Sequence, residues 1–329
     1  MYIDEQRCLY DGFKIRVCDK SYVQYILENS DKYGIEKKYN KHGVIIYPLS
    51  GNFLGYKRTQ ENKYLKGFQL SLLIEYKNGD GEICFEISGS FHKFFNNWKH
   101  NSNNYTYKDF IFVLDKISKI FHLQGIYSRV CNIEFGINII VPPKYKISSK
   151  ALADLCVIAK GKTKNENRTN RDRCEKGQSL YFENESTKSK IYAKSFQQKE
   201  YSNGNEIIRI ESKICNSRSV EQSIGIFSFD DLYYFCHHEK AIKYFKKRFQ
   251  HLLFYQPELE HLVLKAEEKS LLIDFIKPNF WQEQYKLDKK RNFKFNRSLY
   301  FSMLEKNRIP NISNYILDEI NSVNTKHTV

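Results

Sequence analysis

Between Arg129 and Ile140 apolar and polar side chains alternate almost without a break, RVCNIEFGINII. Cys131, Ile133, Phe135, Ile137 and Ile139 fall on one side of an extended chain, and Asn132, Glu134 and Asn138 on the other. That two-residue period predicts a strand with one buried face. Gly136 leaves the polar side open to close approach. A carboxylate in mid-strand is costly to bury unless it is paired or liganded, so Glu134 is either solvated or part of a site.

The same patterning predicts strands over 7–17, Val44–Tyr47, Phe53–Tyr56 and Phe68–Tyr76. Asn78-Gly79-Asp80-Gly81 is a strong hairpin signal, with Ile83–Ser88 as the return strand. Helical spacing appears over Ser21–Tyr33, and more clearly over Tyr107–His122, where Phe110, Val113, Leu114, Ile117, Ile120 and Phe121 share a face. Residues 91–107 read as a polar, aromatic surface loop. After Pro142-Pro143 a helix is expected over Ser149–Ala159, then a highly charged segment, Lys160–Lys176, whose composition fits a solvated loop or a loop touching DNA. Strands are expected at Ser179–Glu183, Lys188–Lys194 and Glu206–Ile214. From Ser228 the pattern is helical and basic, with a last helix near Ile312–Ile320. The predicted class is α+β, an antiparallel sheet with packed helices, divided at about 225 into a 1–225 domain and a basic helical 226–329 region.

Composition narrows the function. With 41% hydrophobic residues and 15% aromatics the chain is globular, and 329 residues can bury a large core. A formal net charge of +15 points to a polyanionic partner, nucleic acid first. The eight cysteines are scattered and no two form a CxxC, the pattern of buried free thiols in a reducing compartment rather than of disulfides or zinc. The N-terminus has no apolar signal-peptide core and no apolar run reaches membrane-spanning length. A cytoplasmic protein is expected.

Three later strands also alternate. Ser179, Tyr181 and Glu183 line up, as do Lys190, Tyr192 and Lys194, and then Arg209, Glu211 and Lys213, with Ile208, Ile210 and Ile214 on the core side. Joined in one sheet, they would place Glu134, Glu211, Tyr181, Tyr192, Lys194 and Arg209 on a single face. Such acids can hold a divalent metal through oxygen, a tyrosine hydroxyl can attack phosphorus, and cations can stabilise the developing charge. Each tyrosine can equally be a packed strand aromatic, and the chain has 24 of them.

The ordered segments ISGSFHKFFNN, IEFGINI, SLYF, KIYAKSFQ and IIRIESKI resemble the replication initiation factor family, the initiators of rolling-circle plasmids and phages. The resemblance covers about residues 80–215. It implies an antiparallel sheet whose open face nicks one DNA strand at an origin, leaving a 5′-phosphotyrosine and a free 3′-OH, with Mg²⁺ or Mn²⁺ as cofactor. Residue by residue, Tyr181 matches the nucleophile position best and Tyr192 the supporting tyrosine beside Lys194, although either can be the nucleophile. Glu134 matches the acidic metal strand; Arg209 and Glu211 match the RxE element. His92 is a lone further metal candidate, since no His-hydrophobic-His motif is present, and Asn138 stands where members often carry a second aspartate.

DNA contact is expected from Lys93 and from the basic, aromatic runs holding Lys243, Lys246, Lys247 and Arg248, and Lys289, Lys290 and Arg291. The expected partners are single-stranded or supercoiled origin DNA, a second copy of the chain, and a host helicase and polymerase. Two other readings fit the same residues, a non-catalytic DNA-binding regulator and a relaxase of a mobile element.

Overall fold

The computed structural model describes residues 6–30, 32–33, 38–39, 45–46, 67–77, 80–158, 167–174, 177–262, 264–277, 280–281, 283–284 and 290–323. Its N-terminal elements are β1 (Tyr10–Val17), α1 (Lys20–Glu28), β2 (Lys38–Tyr39), β3 (Ile45–Ile46), β4 (Gln69–Lys77), β5 (Asp80–Ser90), α2 (Phe91–Phe95) and α3 (Tyr107–Phe121). Next come β6 (Arg129–Ile140), α4 (Ser149–Asp154), β7 (Cys156–Ile158), β8 (Asn167–Cys174), β9 (Gly177–Glu183), β10 (Thr187–Ala193), α5 (Lys194–Gln197) and β11 (Ile207–Ile214). The rest is α6 (Ser217–Ile224), α7 (Phe235–Phe249), β12 (Leu253–Phe254), α8 (Ala266–Phe275), α9 (Lys290–Lys306) and α10 (Ile312–Ser322).

The main sheet has the hydrogen-bonded order β4-β5-β1-β6-β11-β10-β9-β8, and β4–β5, β5–β1, β1–β6, β10–β9 and β9–β8 pair antiparallel. The class is α+β, as expected. The described residues group into two compact units, one within Met1–Phe135 and Ile214–Ala241, the other within Gly136–Lys213 and Ile242–Thr325.

In the first unit α3 begins at a capping box. Thr106 Oγ1 accepts from the Asp109 amide at 3.2 Å while Asp109 accepts from the Thr106 amide at 2.9 Å. Its buried stripe is Tyr107, Phe110, Val113, Leu114, Ile117 and Phe121, as the spacing predicted except that Ile120 is half-buried. Phe110 stacks on Tyr10 at 4.6 Å between ring centroids. Each such buried ring contributes about 1.5–3 kcal/mol. Lys77 pairs with Asp80, so the predicted hairpin register is met in the strands that flank the turn.

In the second unit α4 packs on β9 and β10. A separate apolar cluster gathers Trp281, Phe275, Phe293, Tyr300 and Leu304 with Val157 and Leu253. The Trp281 indole donates to the Phe275 carbonyl at 2.8 Å, which satisfies its one buried donor. No helix among the described residues is long and apolar enough to cross a membrane.

Several expectations fail, each for a local reason. The helix expected to reach Ala159 stops at Asp154, and Cys156–Ile158 instead pairs with β12; a short β-branched run serves a strand when a partner edge is available. Within the charged segment, 167–174 is strand β8, held in register on β9. Residues 91–95 form a helix capped by Ser90, and His92 is buried rather than in a surface loop. In β6 the core position falls to Val130, with Cys131 only half-buried, because the register on β1 shifts between Lys14 and Ile15.

The cysteine expectation fails too. Cys18 and Cys84 are joined in a disulfide across 66 residues, a pairing that sequence spacing conceals and the Val17–Phe85 register produces. The strand expected at Val44–Tyr47 is described only at Ile45–Ile46, and Phe53–Tyr56 lies outside the described residues.

His238 gives a test of the first unit's core. It is fully buried beside the rings of Tyr10, Tyr107 and Phe235, at 5.0–5.6 Å between centroids. Burial pushes its pKa down to about 4, against a smaller opposing effect of the Arg7 backbone. Between about pH 6.5 and 4 the unfolded chain therefore binds the extra proton, so stability falls on acidification by about 3 kcal/mol. Urea unfolding across that range should show the loss, and His238→Phe should flatten the slope.

Candidate functional site

The polar face of the sheet is built from departures in regular pairing. On β1, Tyr10 lies opposite Phe135 and Gly12 opposite Glu134, so Asp11 is an extra residue, a bulge. The bulge lets Tyr10 and Phe13 both point into the core while Asp11 is spared for the other side. Asp11 is 4% exposed and accepts from Ser90 Oγ at 2.8 Å and from Asn101 Nδ2 at 3.0 Å. Gly12 lets Glu134 sit close, since a β-carbon there would stand 3.2 Å from that of Glu134. Further along the face, Glu86 is held by Lys14 Nζ at 2.6 Å and Arg16 Nη2 at 2.9 Å.

Within the second unit lies a buried polar chain. Glu211 Oε1 accepts from the Tyr192 hydroxyl at 2.8 Å and from Arg209 Nε at 2.5 Å. Arg209, 1% exposed, also donates through Nη1 to Asn138 Oδ1 at 2.7 Å. Its guanidinium lies over Gly136, where a β-carbon would meet Cζ at 2.8 Å. An ion pair this buried persists only with its remaining donors satisfied, and Asn138 supplies one acceptor. Lys190 Nζ stands 4.3 Å from the Tyr192 ring centroid and 5.4 Å from that of Tyr181, its direct cross-strand partner. Lys194 begins α5 instead of ending the strand; it is 2% exposed and lies 5.7 Å from the Tyr192 ring.

Carboxylate oxygens of Asp11 and Glu134, both in the first unit, lie within 4.8 Å of each other. Carboxylates this close repel by a few kcal/mol per pair even at an effective dielectric of about 20, more than the roughly 1 kcal/mol a single hydrogen bond returns. An all-oxygen donor set of this charge suits a hard divalent cation. The expected acid Glu134 is thus joined by Asp11 in the first unit, while the expected acid Glu211 is held by Tyr192 and Arg209 in the second. An Asp-Gly step inside a strand pattern was the available signal for a bulge there.

His92 lies elsewhere. It is 5% exposed, stacks on Tyr105 at 4.5 Å, and its Nε2 is 2.8 Å from Asn103 Oδ1. Of the basic residues, Lys93 is half-buried in α2, and Lys243 and Lys247 are exposed on α7. Lys246 donates to the Asn321 carbonyl at 2.7 Å, and burial lowers its pKa. Arg248 is 3% exposed and turned inward to Ser189 Oγ at 2.7 Å and Thr187 Oγ1 at 2.8 Å. Lys289 and the side chains of Lys290 and Arg291 lie outside the described residues.

Neither a family model nor a curated protein matches the chain. Among solved structures it is similar to a rolling circle replication initiator protein from Geobacillus stearothermophilus. The two are 16% identical, with 82% of this chain and 96% of that chain covered and a TM-score of 0.34. So distant a likeness decides neither fold nor chemistry.

The guanidinium over Gly136 makes that glycine a test of the site. Gly136→Ala should displace Arg209 from Glu211 and cost about 1–3 kcal/mol by overpacking, measured as a lower urea midpoint at unchanged m-value.

Proposed function

We propose that the chain is a rolling-circle replication initiator: it binds DNA and nicks one strand at an origin by tyrosine transesterification. The observation that carries this reading is the buried chain in which Tyr192 and Arg209 both donate to Glu211, with the close Asp11–Glu134 carboxylate pair of the first unit as support. In this reading Asp11, Glu134 and Glu211 hold Mg²⁺ or Mn²⁺, Glu211 through Oε2 because Oε1 already accepts from Tyr192 and Arg209. When bound, such an ion polarises a phosphodiester oxygen. Asn138 and Gly136 keep Arg209 in place, and Arg209 keeps Glu211 oriented.

Tyr181 is the nucleophile. Its phenol oxygen forms a bond to phosphorus, the bond from phosphorus to the 3′ oxygen breaks, and the phenol proton ends on that oxygen as a free 3′-OH. Two contrasts favour Tyr181 over Tyr192. Tyr192 is 4% exposed with its hydroxyl engaged by Glu211, whereas Tyr181 is only half-buried. A hydroxyl already donating to a metal ligand is a positioning group. Lys190 and Lys194 supply positive charge beside the two rings. DNA is held by Lys93, Lys243 and Lys247, with residues 1–225 carrying the chemistry and the basic region beyond contributing affinity. Arg248 braces β10 instead.

The experiment mixes purified chain with single-stranded and supercoiled DNA of its own replicon and Mn²⁺, and looks for a covalent adduct on a denaturing gel. EDTA and Tyr181→Phe should each abolish the adduct. Tyr192→Phe should keep it at a rate lowered roughly 10–100-fold, the usual cost of losing an outer-shell partner. An adduct that persists in Tyr181→Phe would remove that residue from the role. Tight, salt-sensitive binding with no adduct at all would leave a DNA-binding regulator.

A further inference from the structure

Cys18 and Cys84 take no part in the site above. Val17 pairs with Phe85, so the next residue beyond β1 and the preceding one on β5 face each other, with Cα atoms 4.2 Å apart. Glu82 lies two residues before Cys84 and therefore on the same side of β5. Its carboxylate oxygen and the two sulfurs all lie within 4.8 Å of one another.

A disulfide needs two cysteines and no carboxylate. Reduced, the same three groups make a different object, two thiols and a carboxylate already converged. Zinc takes cysteine sulfur at about 2.3 Å and carboxylate oxygen at about 2.0–2.2 Å, which spaces tetrahedral donors roughly 3.5–3.8 Å apart. Small side-chain rotations reach that spacing. Cys84 is fully buried while Cys18 and Glu82 are half-buried. The cluster thus has a closed floor and an open side, where a water can complete a tetrahedron. Cys8, Cys131, Cys156, Cys215 and Cys236 form no disulfide. Sulfur donors also separate this cluster from the all-oxygen one, because thiolates select zinc-like ions over magnesium.

We propose that Cys18, Cys84 and Glu82 form a redox-gated site for a thiophilic divalent cation, closed as the disulfide and open as the dithiol. Opening is thiol–disulfide exchange. A dithiol reductant gives two electrons and two protons and becomes a disulfide, while the Cys18–Cys84 bond breaks into two thiols. Metal binding then releases those two protons as two sulfur–metal bonds form.

The test titrates the full chain with Co²⁺ alone, after reduction with excess dithiol and removal of the reductant under argon. The reduced chain should develop the near-ultraviolet thiolate-to-cobalt absorption and the oxidised chain should not. Cys18→Ser should lose the absorption. Glu82→Gln keeps both cysteines, and its fold can be checked by circular dichroism in the oxidised form. It should bind Co²⁺ roughly tenfold or more weakly, since even outer-shell partners are worth that much. A reduced chain without the absorption, an absorption unchanged in Cys18→Ser, or a correctly folded Glu82→Gln that binds Co²⁺ as tightly as the parent would overturn the proposal.

Discussion

Burying a carboxylate costs more free energy than one ordinary hydrogen bond returns, and each unit of this chain buries one on the polar side of a strand, Asp11 in the first and Glu211 in the second. Everything around them reads as the means of tolerating that cost. A bulge frees Asp11 from the core pattern, and Ser90 and Asn101 donate to it. Tyr192 and Arg209 both donate to one oxygen of Glu211. Arg209 is in turn fixed by Asn138 and by the missing side chain at Gly136. Hydrogen bonds orient carboxylates but do not cancel their mutual repulsion; a divalent cation does both.

This explains how buried polar groups can sit on strands that otherwise obey ordinary rules. The apolar sides of β6 and β11 are conventional, with Ile133, Phe135, Ile137, Ile208 and Ile210 buried. They hold the opposite sides rigid enough that Glu134, Asn138, Arg209 and Glu211 keep their positions. On β11 both faces are largely buried, Arg209 and Glu211 included, so its polar side is not a solvated surface.

The alternation in β6 and the amphipathic stripe of α3 were legible because each depends on one short-range period. So were Glu134 and Glu211 as polar positions on alternating strands. Asp11 was not legible as another, because its role depends on where β1 slips against β6, a property of pairing. The Cys18–Cys84 bond was hidden for the same reason, since register alone brings them together. The basic helix α7 was only half legible: charge counts Lys243 and Arg248 alike, but the structure exposes the first and turns the second inward to Ser189 and Thr187. Strand β8 was mistaken for loop because its charge outweighed its pairing.

The most direct measurement of the central claim is thermal unfolding with and without Mn²⁺, in the parent chain and in Asp11→Asn and Glu211→Gln. If the carboxylates hold the ion, Mn²⁺ at about a hundred times its dissociation constant stabilises the parent by about 2.7 kcal/mol, and either substitution removes most of that gain. A parent chain whose unfolding temperature is unmoved by Mn²⁺, or variants that gain as much from it as the parent, would contradict the account.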